Sequence, residues 1–311
     1  MKNNRHGISR RQFIQSVVGA TAGLTLFPSL GMTAEQKKIL KAIPSSGELL
    51  PVIGMGSSRT FDVGDDDELK ARLRDVLQTF SNKGGAMIDS SPMYGNAEQV
   101  IGELLKTVTN KKELFMATKV WTEGKTEGIA QMQRSMRRMG VSAFDLIQIH
   151  NLVDWTTQLE TLKEWKAAGK VRYIGITTSH GRYHQELERI LAKEPFDFVQ
   201  FSYSIGNRDV EKRLLPLAKE RGIATIINRP FQRGSLFQQV KGKPLPAYAS
   251  EIDCDSWGQF FLKFVVSHPA VTCAIPATSK VHHMIDNMGA CYGRLPDEKL
   301  RLRMADTFNS L

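Results

Sequence analysis

Cysteine is scarce: the 311-residue chain has three, Cys254, Cys273 and Cys291, 19 and 18 positions apart, with no C-x-x-C pair and no histidine at ligand spacing. A cysteine-based metal or redox motif is therefore excluded, and the three thiols read as structural. The histidines offer no substitute. His180 and His184 are four apart, but the run HGRYH lacks the carboxylate of a zinc motif, and the adjacent His282 and His283 point to different sides of a helix. No metal is expected. The chain also lacks a basic stripe interleaved with exposed aromatics; its densest cationic group, Arg134, Arg137 and Arg138, falls on one helix face as solvated surface, which argues against nucleic acid. No apolar run is long and charge-free enough to span a membrane, except one near the N-terminus.

That run is the first thing the sequence does contain. Lys2, Arg5, Arg10 and Arg11 precede an apolar stretch rich in Gly, Ala, Ser and Thr, residues 16–32 carry no charge, and small residues follow near Ala34. A first helix of the fold would show a polar face, so residues 1–34 read as a targeting peptide. The stretch SRRQFI resembles a twin-arginine (Tat) signal, and its modest hydrophobicity and the basic cluster Lys37, Lys38 and Lys41 fit that route. The resemblance implies export through the Tat translocase to the periplasm. Met32, two before Ala34, is larger than a peptidase usually accepts, so an uncleaved membrane anchor stays open. Four of the formal +10 charges belong to this leader, leaving +6 spread over residues 35–311. A Tat passenger folds before it meets an oxidant, so the cysteines are expected to stay reduced.

Beyond the leader, short apolar runs alternate with amphipathic segments. The runs 52–55, 86–88, 114–118, 146–149, 173–176, 198–201, 224–227 and 272–275 read as strands, spaced as βα units require. Residues 68–80, 157–168, 208–219 and 256–266 read as helices among them. Continuous apolar strands between helices specify a parallel sheet covered on both faces, and eight units close into a barrel. A doubly wound sheet would carry a Gly-rich phosphate turn after its first strand. Gly54-Met55-Gly56 is followed by Ser57, Ser58 and Arg59, without the remaining glycine. The fold class is therefore α/β, a (β/α)8 TIM barrel, with residues 35–311 as one domain.

In such a barrel chemistry collects where strands end. Strand two ends IDSSPMYG, strand three ATKVW and strand four QIHN, which brings Asp89, Tyr94, Lys119 and His150 to one rim. A lysine at the mouth of an apolar strand needs a counter-charge, and Asp89 is placed to supply it. A phenol beside that ammonium is expected to have a lowered pKa and to donate a proton near neutrality.

This constellation, with the barrel around it, resembles the aldo/keto reductase superfamily over residues 50–287. The resemblance implies a tetrad in which Tyr94 protonates a carbonyl oxygen as hydride arrives from a nicotinamide, Lys119 assists it, Asp89 holds Lys119, and His150 orients the carbonyl. It also implies cofactor contacts. Thr177 and Thr178 of IGITT, with Gln200 of VQFSYS, would face the carboxamide; Gly56 and Ser57 after strand one, and Asn228, Arg229 and Pro230 of INRPF, would border the dinucleotide. Asn228 stands where the family often has a stacking aromatic. In IPATSKVHHMIDN, Thr278, Ser279 and Lys280 would meet a 2′-phosphate and His283 and Asn287 the adenine. Lys280 with hydroxyl donors favours a dianionic group, hence NADP(H), and helix N-termini attract anions in any case. The expectation is a monomeric reductase of a small aldehyde or ketone; the alternative is a nucleotide-bound barrel that senses or binds, with vestigial catalysis. Substrate choice would lie in residues 120–128, 230–255 and the C-terminal segment.

Overall fold

The structure, a computed structural model, describes residues 37–111 and 114–311. The expected export signal lies outside them. The first described strands, β1 (Leu40–Ala42) and β2 (Leu49–Pro51), form an antiparallel hairpin, with Leu40 opposite Pro51. The chain then alternates: β3 (Met55–Gly56), α1 (Asp67–Asn82), β4 (Met87–Asp89), α2 (Ala97–Leu105), β5 (Phe115–Val120), α3 (Lys125–Met139), β6 (Phe144–His150) and α4 (Trp155–Ala167). It continues with β7 (Val171–Thr177), α5 (His184–Lys193), β8 (Phe198–Ser202), α6 (Leu214–Glu220), β9 (Ala224–Asn228), α7 (Ser235–Gln239), α8 (Trp257–Val266), β10 (Cys273–Ala274), α9 (Val281–Gly289) and α10 (Glu298–Asn309).

Strands β3 to β10 pair in parallel in chain order. A parallel bridge between Ile53 and Ala274, with the Gly54 amide donating to the Ala274 carbonyl at 2.8 Å, brings the eighth strand beside the first. The expected (β/α)8 barrel is what the chain forms. Several helices start on side-chain caps: Asp66 accepts from the Leu69 amide at 2.9 Å, Ser256 from Gln259 at 3.0 Å and Asp297 from Leu300 at 2.8 Å.

Side-chain alternation along each strand divides the core in two. Outward residues such as Ile88, Ile147, Val199 and Ile174 pack under the helices, while Met87, Phe115, Leu146, Tyr173, Phe198 and Ile226 fill the interior. Ile43 and Leu50 of the hairpin region join that interior cluster, so the hairpin plugs the N-terminal end. Gly175 lets the interior fill above them. A Cβ there would stand 3.0 Å from the Gln148 side chain and 3.0 Å from the Phe198 carbonyl, so a larger residue would push Gln148 out of line.

Three expectations need correction. The segment 208–219 is not one helix: a 3-10 turn at Asp209–Glu211 is broken at Arg213 before α6 begins at Leu214. Pro216 explains the break, because it lacks an amide proton and is tolerated only in a first turn. The expected first and last barrel strands, 52–55 and 272–275, are pared to Met55–Gly56 and Cys273–Ala274. The basic cluster after the leader also belongs partly to the barrel. Lys38 donates to the Gly84 carbonyl at 2.7 Å, and Lys41 donates to Val266, His268 and Val271 carbonyls at 2.7, 2.8 and 2.6 Å. Lys41 thereby caps the C-terminus of α8, although burial brings its pKa down to about 8. Among the described residues no helix is long and apolar enough to cross a membrane.

Candidate active site

The inward alternation that fills the lower barrel with apolar groups changes chemistry one layer from the top. There Asp89, Lys119, Gln148 and Gln200 point inward from β4, β5, β6 and β8. Lys119 donates to Asp89 Oδ2 at 2.5 Å and to the Ser90 carbonyl at 2.8 Å. Gln148 and Gln200 both donate through Nε2 to Asp89 Oδ1, at 2.9 and 3.1 Å. The carboxylate thus accepts from three side chains, and the pair is sealed: Lys119 is 0% and Asp89 2% exposed. Such a pair holds only because its lone pairs and protons are satisfied.

Tyr94 reaches this pair from the turn between β4 and α2. Its ring lies 5.3 Å from Lys119 Nζ and meets the His150 ring edge-on at 5.8 Å between centroids. His150, at the end of β6, is 2% exposed and has Ser91 Oγ 3.0 Å from its Nδ1. The structure therefore brings all four tetrad candidates together. The field among them differs from the sequence expectation at one point. Burial raises the Tyr94 phenol above its ordinary value, and the opposing pull of Lys119 does not overcome it. Asp89, which sits on the ammonium, adds to the rise by offsetting part of its field at the phenol. Lys119 itself is pulled down by burial, but Asp89 and Tyr94 outweigh this and hold it above its ordinary value. His150 is pushed down to about 2 by burial and by Lys119, so its ring is neutral.

The expected cofactor contacts divide. Thr177 and Thr178 are buried beside Gln200, and Thr178 Oγ1 is a buried hydroxyl oxygen with no hydrogen-bond partner. Asn228 is tied down: Ser202 Oγ donates to its Oδ1 at 2.6 Å and its Nδ2 donates to the Thr178 carbonyl at 3.0 Å. Pro230 is buried, and Arg229 is half-buried. Gly56 and Ser57 serve the rim. The Gly56 amide donates to the Pro276 carbonyl at 3.2 Å, and Ser57 Oγ donates to the Asp89 carbonyl at 3.0 Å. At the start of α9, Thr278 Oγ1 accepts from the Lys280 amide at 3.1 Å and lies 3.5 Å from His283 Nδ1. Ser279, Lys280 and His283 are exposed there, and Asn287 is buried one turn further on.

Beside Asn228 a cavity of about 590 Å³ opens, lined in part by Ser202, Arg208, Arg229, Gln232 and Arg233. Burial and the neighbouring Arg233 lower the Arg229 pKa, the signature of a guanidinium in a positive setting. Arg59, Asn151, Leu152, Asp154, Arg229, Gln232 and Arg233 hold left-handed backbone conformations on the loops after β3, β6 and β9. Left-handed non-glycine residues mark strained, functional loops, and these crowd one end of the barrel.

Three contributors were not singled out in the sequence: Gln148, Ser91 and Glu98. Gln148 had a signal, since it stands two residues before His150 and strand alternation puts both on one face. The cysteines are free and buried; burial pushes Cys254 and Cys291 up to about 12.

A buried ion pair, a phenol against it and a neutral imidazole thus stand together at the C-terminal mouth of the barrel. A profile of the Aldo/keto reductase family matches residues 52–302, and the chain belongs to that family. It is similar to methylglyoxal reductase YeaE of Escherichia coli (26% identity over 270 residues, 84% of this chain and 93% of that one). It is also similar to aldo-keto reductase str7 of Strobilurus tenacellus (25% over 286 residues, 79% and 83%). Among solved structures, a Klebsiella pneumoniae aldo/keto reductase in complex with NADP and acetate superimposes with a TM-score of 0.70 at 21% identity, covering 84% of this chain and 93% of its own. The holo form of AKR11C1 from Bacillus halodurans gives 0.71 at 20%, covering 88% and 96%.

Proposed function

We propose that the protein is an NADP(H)-dependent reductase of small aldehydes or ketones with Tyr94 as general acid, a monomer that works in the periplasm after Tat export. One observation carries the catalytic part: Asp89, Tyr94, Lys119 and His150, scattered over 62 positions of sequence, converge at one barrel mouth. A barrel that only bound or sensed a nucleotide would have no use for a phenol packed against a buried ion pair.

The residues present fit the cofactor. Thr178 Oγ1, buried and without a partner, is a ready donor or acceptor for a carboxamide. Arg208, Arg229 and Arg233 line a cavity fit for phosphate charge. Lys280, Ser279 and His283 stand exposed at the start of α9, where a 2′-phosphate would gain both a cation and helix amides. Hydride for the carbonyl carbon is the chemistry NADPH supplies when bound, with NADP+ as its oxidised product. Tyr94 passes its phenolic proton to the carbonyl oxygen, so the alcohol O–H forms as the phenol O–H breaks. The raised phenol value keeps that proton in place until the oxygen gains charge. Lys119, fixed by Asp89 and Ser90, then stabilises the phenolate, and solvent returns a proton. His150 has Nδ1 turned to Ser91, which leaves Nε2 to donate to the carbonyl oxygen.

The export part rests on Arg10 and Arg11 before an uncharged run. A cofactor site drawn from many strands does not exist until the barrel has folded, so loading precedes passage and a route for folded cargo is required. The test is NADPH oxidation with a panel of small carbonyl compounds, starting from 2-oxoaldehydes because the Escherichia coli relative is a methylglyoxal reductase. Tyr94→Phe should lower turnover by at least ~10²-fold with NADPH binding unchanged. Turnover like wild type in that variant would remove Tyr94 from the mechanism.

A further inference from the structure

The most buried carboxylate among the described residues is Glu98, 0% exposed, and the proton-transfer steps do not use it. Thr118 Oγ1 donates to its Oε1 at 2.6 Å and Ser135 Oγ donates to its Oε2 at 3.0 Å, while Arg138 Nη1 stands 3.9 Å away. Burial raises its pKa, and the two hydroxyls and Arg138 oppose the rise. A carboxylate sunk this deep destabilises the fold unless its contacts compensate, so its position calls for an explanation.

The position is set by two short arms. On one side, Glu98 lies four residues after Tyr94, and the Ala97 amide donates to the Tyr94 carbonyl at 3.0 Å. Tyr94 and Glu98 thus share the first turn leading into α2. On the other side, Glu98 grips Thr118, whose neighbour in β5 is Lys119. Alternation turns Thr118 outward to the helix layer and Lys119 inward to Asp89. The carboxylate therefore ties the segment that carries the phenol to the strand that carries the ammonium. Gly102, one turn further along α2, tightens the tie. A Cβ there would fall inside the Arg138 carbonyl, so α2 and α3 meet backbone to backbone, which brings Ser135 onto the second oxygen of Glu98.

We propose that Glu98 is a positioning residue: through Thr118 it sets how the Tyr94 hydroxyl faces the Lys119 ammonium. The inference rests on Tyr94 being the proton donor. Loosening the tie lowers kcat and leaves ground-state binding alone, because neither Glu98 nor Thr118 itself borders the carbonyl or the cofactor contacts.

The experiment compares Glu98→Ala, Glu98→Gln, Thr118→Val, Ser135→Ala, Tyr94→Phe and Ser81→Ala as full-length proteins. Each is measured for kcat, carbonyl KM, NADPH binding by fluorescence titration and thermal midpoint. Glu98→Ala should lose roughly 10- to 100-fold in kcat, the range expected when a reacting group shifts by a fraction of an ångström to one ångström. Its KM and NADPH affinity should stay within about threefold of wild type. Glu98→Gln, which can still bridge both hydroxyls, should recover most of the lost kcat. Thr118→Val should repeat the loss, and it decides the matter if Glu98→Ala does not fold. Ser135→Ala should lose less kcat than Thr118→Val, and Ser81→Ala at the end of α1, which removes bonds of 2.9 and 2.8 Å to the Thr109 and Asn110 carbonyls, should lower the midpoint without lowering kcat. An unchanged kcat in Glu98→Ala or Thr118→Val overturns the inference, as do equal losses in Glu98→Ala and Glu98→Gln, or a loss that appears in KM. If Tyr94→Phe is itself as active as wild type, the reading of Tyr94 fails instead, and the two failures are distinguishable.

Discussion

Asp89→Asn replaces a carboxylate that three donors address with an amide that has one acceptor oxygen. Lys119 Nζ, Gln148 Nε2 and Gln200 Nε2 stand at 2.5, 2.9 and 3.1 Å from the Asp89 oxygens. The new amide nitrogen must face at least one of these donors, and the fully buried Lys119 loses its counter-charge and keeps only neutral acceptors such as the Ser90 carbonyl at 2.8 Å. Removing one partner of a buried pair destabilises by about 3–5 kcal/mol. At ~2–4 °C per kcal/mol for a chain of this size, the thermal midpoint should fall by roughly 10 °C. Adding Lys119→Met removes the stranded charge with an apolar stem of similar length. The double variant should therefore regain most of the lost stability, because replacing both partners is often neutral. It should regain no turnover, since Tyr94 then has no cation to stabilise its phenolate. Thermal and urea unfolding followed by circular dichroism, beside NADPH oxidation, separate the two quantities. If the losses in stability simply add in the double variant, Asp89 and Lys119 are not coupled in the barrel and the argument fails.

The remaining predictions concern pH, cofactor choice and export. With the Tyr94 phenol raised by burial and His150 neutral, kcat for reduction should stay flat through neutrality and fall only above pH ~10, the ordinary tyrosine value. A descending limb near pH 8 in the pH–rate profile would show the Lys119 field to prevail over burial. Lys119 is held above its ordinary value, so the stability it gains from Asp89 is fully present below the unfolded lysine value of ~10.4 and lost as pH rises through the folded value. Urea midpoints that decline between pH 7 and 9 in wild type but not in the double variant would contradict that sign. Lys280→Met should weaken NADP(H) about tenfold, the lower end for an exposed charged hydrogen bond, and leave NAD(H) nearly unchanged; equal losses in titrations with both dinucleotides would place Lys280 elsewhere. Replacing Arg10 and Arg11 by lysine should leave folded protein in the cytoplasm, and full recovery from the periplasmic fraction would rule out the twin-arginine route.

Much of this protein was legible along the chain because the barrel is assembled from local units. An inward-facing strand residue is known from alternation alone, so Asp89, Lys119 and His150 could be placed at strand ends before any pairing was known. The helix 208–219 went wrong for an equally local reason, Pro216. The hairpin β1–β2 escaped notice because its role is to plug an interior that forms only once eight strands have met. The same holds for Lys41, which reads as part of a basic cluster until the carbonyls at and just beyond the end of α8 are brought to it.

The site divides along the same line. Residue type and period alone determined which groups reach the mouth: a carboxylate, a lysine, an imidazole and a phenol, each on its own strand or turn. The balance of forces among them belonged to the tertiary structure. From sequence the Lys119 charge lowers the Tyr94 phenol; in the fold, burial outweighs that charge, and Asp89, itself held by Gln148 and Gln200, adds to the rise from its place on the ammonium. Glu98 is more extreme. Nothing in YGNAEQV separates it from a solvated helix carboxylate until α3 and β5 close over it. Electrostatic energies depend on distance and on the exclusion of water, and neither quantity exists until segments remote in sequence have packed together.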